Sequence, residues 1–129
     1  MYGFTVALSG DFAAIKNKTV ELLKVEGFGV LTEIDVQATL KAKLGVERAP
    51  YVILGACNPV VANQAFEAEP DVGLLLPCNV IVRQDGDRVV VGFLNPEAVL
   101  GLVEREGLAP LATEIRERLE RVRDALQKG

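Results

Sequence analysis

Cys57-Asn58-Pro59 closes the apolar run Tyr51 to Ala56, and Pro77-Cys78-Asn79 sits inside a second apolar run from Gly73 to Val82. These two thiols are the only cysteines of the chain, and each is followed by an asparagine and neighboured by a proline. A close thiol pair could exchange a disulfide or capture a soft metal. A thiol just before a helix would also have its thiolate stabilised by the helix dipole. The competing role is packing: free cysteine is among the most buried residue types, and inert packing is its commoner use in an apolar strand. Cys57, Asn58, Pro59, Pro77, Cys78 and Asn79 therefore form the candidate ligand or thiol site, with no catalytic role assigned to any of them. Zinc needs about four ligands. Two thiols without C-x-x-C spacing would need acidic partners or a second subunit, so no metal and no cofactor is expected.

The rest of the composition narrows the chemistry further. Histidine is absent, which removes a Ser-His or Cys-His nucleophile and any histidine-bound metal from within this chain. Acid–base work would fall to a shifted Asp, Glu, Lys, Cys or Tyr, and no catalytic constellation of these is recognisable. The formal net charge is −4 with signs interspersed, so the basic footprint of a nucleic-acid partner is missing. No apolar run approaches the roughly 20 residues of a membrane span, and Met1-Tyr2-Gly3-Phe4 does not read as a signal peptide. The expectation is a cytoplasmic protein with free thiols.

The elements that must position the two cysteine sites follow from periodicity and punctuation. At 129 residues, half of them apolar, one domain with one core is expected over 1–129. Thr5 to Leu8 reads as a strand. Ser9-Gly10-Asp11 then leads into a helix from Phe12 to about Glu26, stopped by Gly27. Phe28 to Ile34 reads as a second strand, and Asp35 caps a helix Val36 to Leu44 ended by Gly45. Tyr51 to Ala56 is a third strand, continuously apolar and hence central, and Pro59 opens the next helix. Gly73 to Val82 reads as a strand broken by Pro77, and Asp85-Gly86 turns it into Arg88 to Leu94. Asn95-Pro96 opens a helix over Glu97 to Glu106. A longer helix follows Pro110, with Leu111, Ile115, Leu119, Val122 and Leu126 on one face and the pairs Glu114-Arg118 and Glu117-Arg121 on the other.

This order predicts an α+β two-layer sandwich, a mixed five-stranded sheet with helices packed on one face. If Tyr51 to Val82 is a right-handed βαβ unit, its strands are parallel and Cys57 lies level with Cys78 or Asn79. If they are antiparallel, with the second strand starting at Gly73, the thiols are roughly 15 Å apart along the strand. Asn58-Pro59 and Asn95-Pro96 could be recognition turns, although Asn-Pro more often simply opens a turn or helix.

Four segments together carry a resemblance: Gly27 to Val36, Thr39 to Gly45, Leu54-Gly55-Ala56-Cys57-Asn58-Pro59, and Leu75-Leu76-Pro77-Cys78-Asn79-Val80. They are similar to a bacterial and archaeal family described only as domain of unknown function number three hundred and two. The resemblance implies a small α+β domain, dimeric, with the two cysteine segments as its hallmark. It implies no reaction. The functional expectation is a homodimer that binds a small molecule or a protein partner near the Cys57 and Cys78 turns. The alternative is thiol-dependent redox or soft-metal handling by the same two residues.

Overall fold

A computed structural model describes all 129 residues. Strands β1 (Gly3–Leu8), β2 (Gly29–Asp35), β3 (Tyr51–Cys57), β4 (Cys78–Asp85) and β5 (Arg88–Leu94) form one sheet in the order β1-β5-β4-β3-β2. Helices α1 (Phe12–Val25), α2 (Val36–Leu44), α3 (Pro59–Ala68), α4 (Pro96–Leu100) and α5 (Leu108–Lys128) connect and cover it.

The α+β, two-layer expectation holds. The sheet, however, is antiparallel at every pairing rather than mixed. The two sheet edges are β1 and β2, and α1 carries the chain between them.

Alternation along the strands decides which face is dry. Val52, Leu54 and Ala56 of β3, Cys78, Val80 and Val82 of β4, and Val89, Val91 and Phe93 of β5 are all buried. They meet Leu23 of α1, Val61 of α3 and the stripe Ile115, Leu119, Val122 and Leu126 of α5 in one core. Each such large side chain removed from water stabilises the fold by about 1.5–3 kcal/mol before entropy is counted. The stripe on α5 agrees with the periodicity of its sequence, and Leu108 and Ala112 extend it toward the N-terminus.

Helix starts obey the capping chemistry. Asp11 accepts from the Ala14 N–H at 3.0 Å, and Asp35 accepts from the Ala38 N–H at 2.9 Å. At the other end of α1, Arg118 Nη1 donates to the Glu26 carbonyl at 2.8 Å and Arg121 Nε to the Glu26 carboxylate at 2.9 Å. Glu114-Arg118 pairs as expected, at 3.1 Å. Arg121 reaches Glu26 instead of Glu117, so a side chain that local spacing pairs within α5 instead clamps the end of α1.

Three further expectations are corrected. Gly73 to Leu76 is not strand: Pro70–Leu75 is a 3-10 helix and β4 begins at Cys78. The cause is local, since Glu69 accepts from the Asp71 N–H at 3.0 Å and starts the tight turn, while Pro77 has no N–H to give a ladder. The helix over Glu97 to Glu106 ends at Leu100, and the last helix begins at Leu108, with Pro110 inside its first turn. That placement is tolerated because the first N–H groups of a helix have no partner within it.

The connection from β3 to β4 is the decisive one for the cysteines. It is not a crossover returning to the far end of the sheet. A second core of Ala65, Val72, Leu100, Leu108 and Ala112 joins α3, the 3-10 helix, α4 and α5. That packing turns the chain back, so β4 starts where β3 stops.

Candidate functional site

Ala56 and Cys78 are direct partners in the β3–β4 ladder. Cys57, one residue further along, therefore lies beside Cys78 at the same sheet end. Neither arrangement expected from sequence applies: the strands are antiparallel, yet the thiols are neighbours, because β4 starts at Cys78 and not at Gly73. Cys57, Asn58, Pro77, Cys78 and Pro96 all border one small apolar cavity. The two Asn-Pro turns and both thiol segments thus share one end of the sheet.

The chemistry available there is limited by burial. The cavity holds only about 30 Å³, enough for about one or two water molecules. Cys78 is buried, and burial pushes its thiol up to about 11, with the nearby Cys57 thiol adding to the effect. Cys57 is half-buried and is also raised by burial. The helix that follows Cys57 does not produce a lowered pKa. Both thiols stay protonated at neutral pH, which disfavours nucleophilic attack and soft-metal capture. No group of three or more Cys, Asp or Glu side chains converges as a metal site would require.

Asn58 and Asn95 act as helix caps. The Asn58 Oδ1 accepts from the Val61 N–H at 3.1 Å in a buried setting, and the Asn95 Oδ1 accepts from the Glu97 N–H at 3.1 Å. Pro59 and Pro96 occupy the first turn of α3 and α4, where a missing N–H costs nothing. Pro77 packs on the other side of the ladder, where a Cβ added to Gly55 would lie 3.0 Å from the Pro77 Cγ.

Asn79 differs from the other five. It is exposed and points away from the helices, as alternation with buried Cys78 and Val80 requires. There it borders a much larger groove of about 670 Å³ across the open face of the sheet. Tyr2, Thr5, Tyr51, Ile81 and Arg83 are its other principal side chains. Gly92 is its floor: a Cβ there would come within 2.9 Å of Ile81 Cγ1 and 3.4 Å of Thr5 Cγ2. A side chain at that position would have to displace the walls. The volume falls in the range of about 300–1,000 Å³ typical of small-molecule sites.

Of the six residues singled out from sequence, Cys57, Asn58, Pro77 and Cys78 border the small cavity, Pro59 is exposed at the start of α3, and Asn79 alone opens onto the groove. The remaining groove residues come from β1, β3, β4 and β5 and share no local motif. Two signals for them are present in the sequence. Asn79, Ile81 and Arg83 alternate with apolar residues, and Gly92 interrupts a strand of bulky residues, a mark of close approach by a ligand or backbone.

The profile of a family described as domain of unknown function DUF302 matches residues 4–126. A crystal structure of an uncharacterised conserved DUF302 protein from Bacillus stearothermophilus is 33% identical and superposes with a TM-score of 0.88, covering 96% of this chain and 97% of the other. A search of curated proteins gives no match.

Proposed function

The chain belongs to the DUF302 family, and we propose that it is a small-molecule-binding domain whose ligand lies in the groove on the open sheet face. The observation that carries this reading is the contrast in volume, about 670 Å³ in the groove against about 30 Å³ beside the thiols. The site remains adjacent to the cysteine turns, because Asn79 follows Cys78 and forms part of the groove. In this reading Cys57, Asn58, Pro59, Pro77 and Cys78 are the rigid end from which β4 departs, and they hold Asn79 in place.

Homodimerisation is the second part of the proposal. Leu31, at the bulge in edge strand β2, is 67% exposed and Ile34 is 47% exposed. Apolar side chains on an edge strand support burial by a second copy. Sedimentation equilibrium checks this directly: a monomer mass at micromolar concentration removes the dimer from the proposal.

The thiol-dependent alternative is the weaker reading, since burial raises both pKa values. Ligand binding is tested by titration with N-phenylnaphthylamine, a neutral apolar dye whose emission rises on leaving water. Saturable binding by the native chain is expected. It should be lost in Thr5→Phe, which fills the groove from exposed β1, and kept in Cys57→Ala. Binding that survives Thr5→Phe would overturn the reading.

A further inference from the structure

Resting on the groove being the binding site, we infer that its ligand is an elongated amphipathic organic anion. Its acid group would sit at Arg83 and Tyr51, its apolar body over Ile81 and Gly92, and its distal polar group at Asn79.

Arg83 is the only charged side chain bordering the groove. It is directly opposite Tyr51 across the β3–β4 ladder. Its single ionic neighbour is Asp85, with Nη1 to Oδ2 at 3.8 Å, beyond hydrogen-bond distance, and both side chains are substantially exposed. A pair so placed contributes little. The guanidinium donors of Arg83 thus remain free to receive a flat anion such as a carboxylate in bidentate fashion. The positive charge is notable on a chain whose formal net charge is −4: anions are repelled by the molecule as a whole and accepted where the groove offers an arginine.

The middle of the groove has a different character. At the middle of β4, Ile81 is flanked by Gly92 on β5 and Ile53 on β3, with Thr5 beyond Gly92. No charge lies on that rung. Two residues further along β4, Asn79 presents a carboxamide that makes no side-chain hydrogen bond within the chain. Arg83 and Asn79 are four residues apart on one strand face, roughly 13 Å at strand rise. A cation, an apolar span and a carboxamide in that order define a ligand with an acid at one end and a hydrogen-bonding group at the other.

The test pairs two dyes of similar aromatic body, anilinonaphthalene sulfonate, an anion, and N-phenylnaphthylamine, which is neutral. Each is titrated against the native chain, Arg83→Met, Arg83→Lys and Thr5→Phe, with circular dichroism confirming that each variant is folded. Arg83→Met is expected to weaken the anionic dye by about tenfold or more, the loss of a charged hydrogen bond, and to leave the neutral dye within about twofold. Arg83→Lys should fall between, because the charge remains and the fork is lost. If Arg83→Met leaves the anionic dye unchanged while the neutral dye still binds and is lost in Thr5→Phe, the anion inference fails and the groove reading stands. If the neutral dye does not bind, or binds Thr5→Phe as well, both fail.

Discussion

Ala56 and Cys78 face each other across β3 and β4, and this pairing brings the chain's two thiols to one end of an antiparallel sheet. The packing that joins them buries Cys78 and half-buries Cys57, and burial raises both thiol pKa values, which disfavours the reactive thiolate.

That burial has a pH signature. In the unfolded chain Cys78 ionises near its ordinary value of 9.0, whereas in the fold it is pushed up to about 11. As pH rises, the unfolded state therefore loses its proton first. The stability held by the buried, protonated thiol is complete below pH 9.0 and is lost as pH climbs toward about 11. It amounts to something on the order of 2 kcal/mol. Urea unfolding of the native chain and Cys78→Ala, compared at neutral and alkaline pH, should show the variant less stable at neutrality and less sensitive to alkali. Iodoacetamide should label both thiols slowly at pH 7 compared with free cysteine, a rate read by mass spectrometry; rapid labelling would restore the thiol-dependent reading.

Gly55 cannot accept a side chain. A Cβ there would strike Thr32 Oγ1 on β2 and crowd Pro77 Cγ at 3.0 Å. Gly55→Ala should cost about 1–3 kcal/mol through overpacking. Thr32→Ala in the same chain should recover part of the loss, since it removes the closest obstacle. A double-mutant cycle in urea measures that coupling, and additive losses would show that Thr32 is not the obstruction.

Asn58 holds the start of α3 and takes no part in the groove. Asn58→Ala removes this cap and should lower stability by about 0.5–2 kcal/mol, seen as a reduced thermal midpoint. Dye binding in the groove should be unaffected below that midpoint. A lost binding signal in a fully folded Asn58→Ala would mean that the cavity beside the thiols, and not the open face, takes the ligand.

The core makes a graded prediction. Leu119 is 0% exposed and belongs to the stripe of α5 against the sheet, while Leu74 in the 3-10 helix is 88% exposed. Leu119→Ala should cost about 2–5 kcal/mol by cavity formation. Leu74→Ala should stay within about 0.5 kcal/mol. Chemical denaturation midpoints for the two variants compare them directly.

Much of this architecture is legible in residue order alone. Asp11, Asp35, Asn58 and Asn95 cap the helices that follow them, the bounds Val36–Leu44 hold as read, and Asp85-Gly86 begins the turn between β4 and β5. These are local events, governed by backbone donors and acceptors a few residues apart, so the order of residues determines them. The inward face of β4 is equally readable from alternation once its start is known.

Its start is the difficulty, and with it the direction of β4 against β3. A run such as Gly73 to Leu76 is apolar enough for a strand, but Val72 packs with Ala65, Leu100, Leu108 and Ala112, contacts between segments far apart in the chain. Only that packing decides that the chain doubles back and pairs Ala56 with Cys78. The groove has the same origin. Thr5, Tyr51, Asn79, Arg83 and Gly92 carry no shared motif, and they become one surface because four strands align them on the face the helices leave open. The sequence by itself determined the helix caps, most of the elements and the two conspicuous thiols. Tertiary structure decided that a buried Cys78 would sit beside a half-buried Cys57 and that the larger groove would open on the opposite face, because strand direction and sheet order depend on long-range packing that no local pattern encodes.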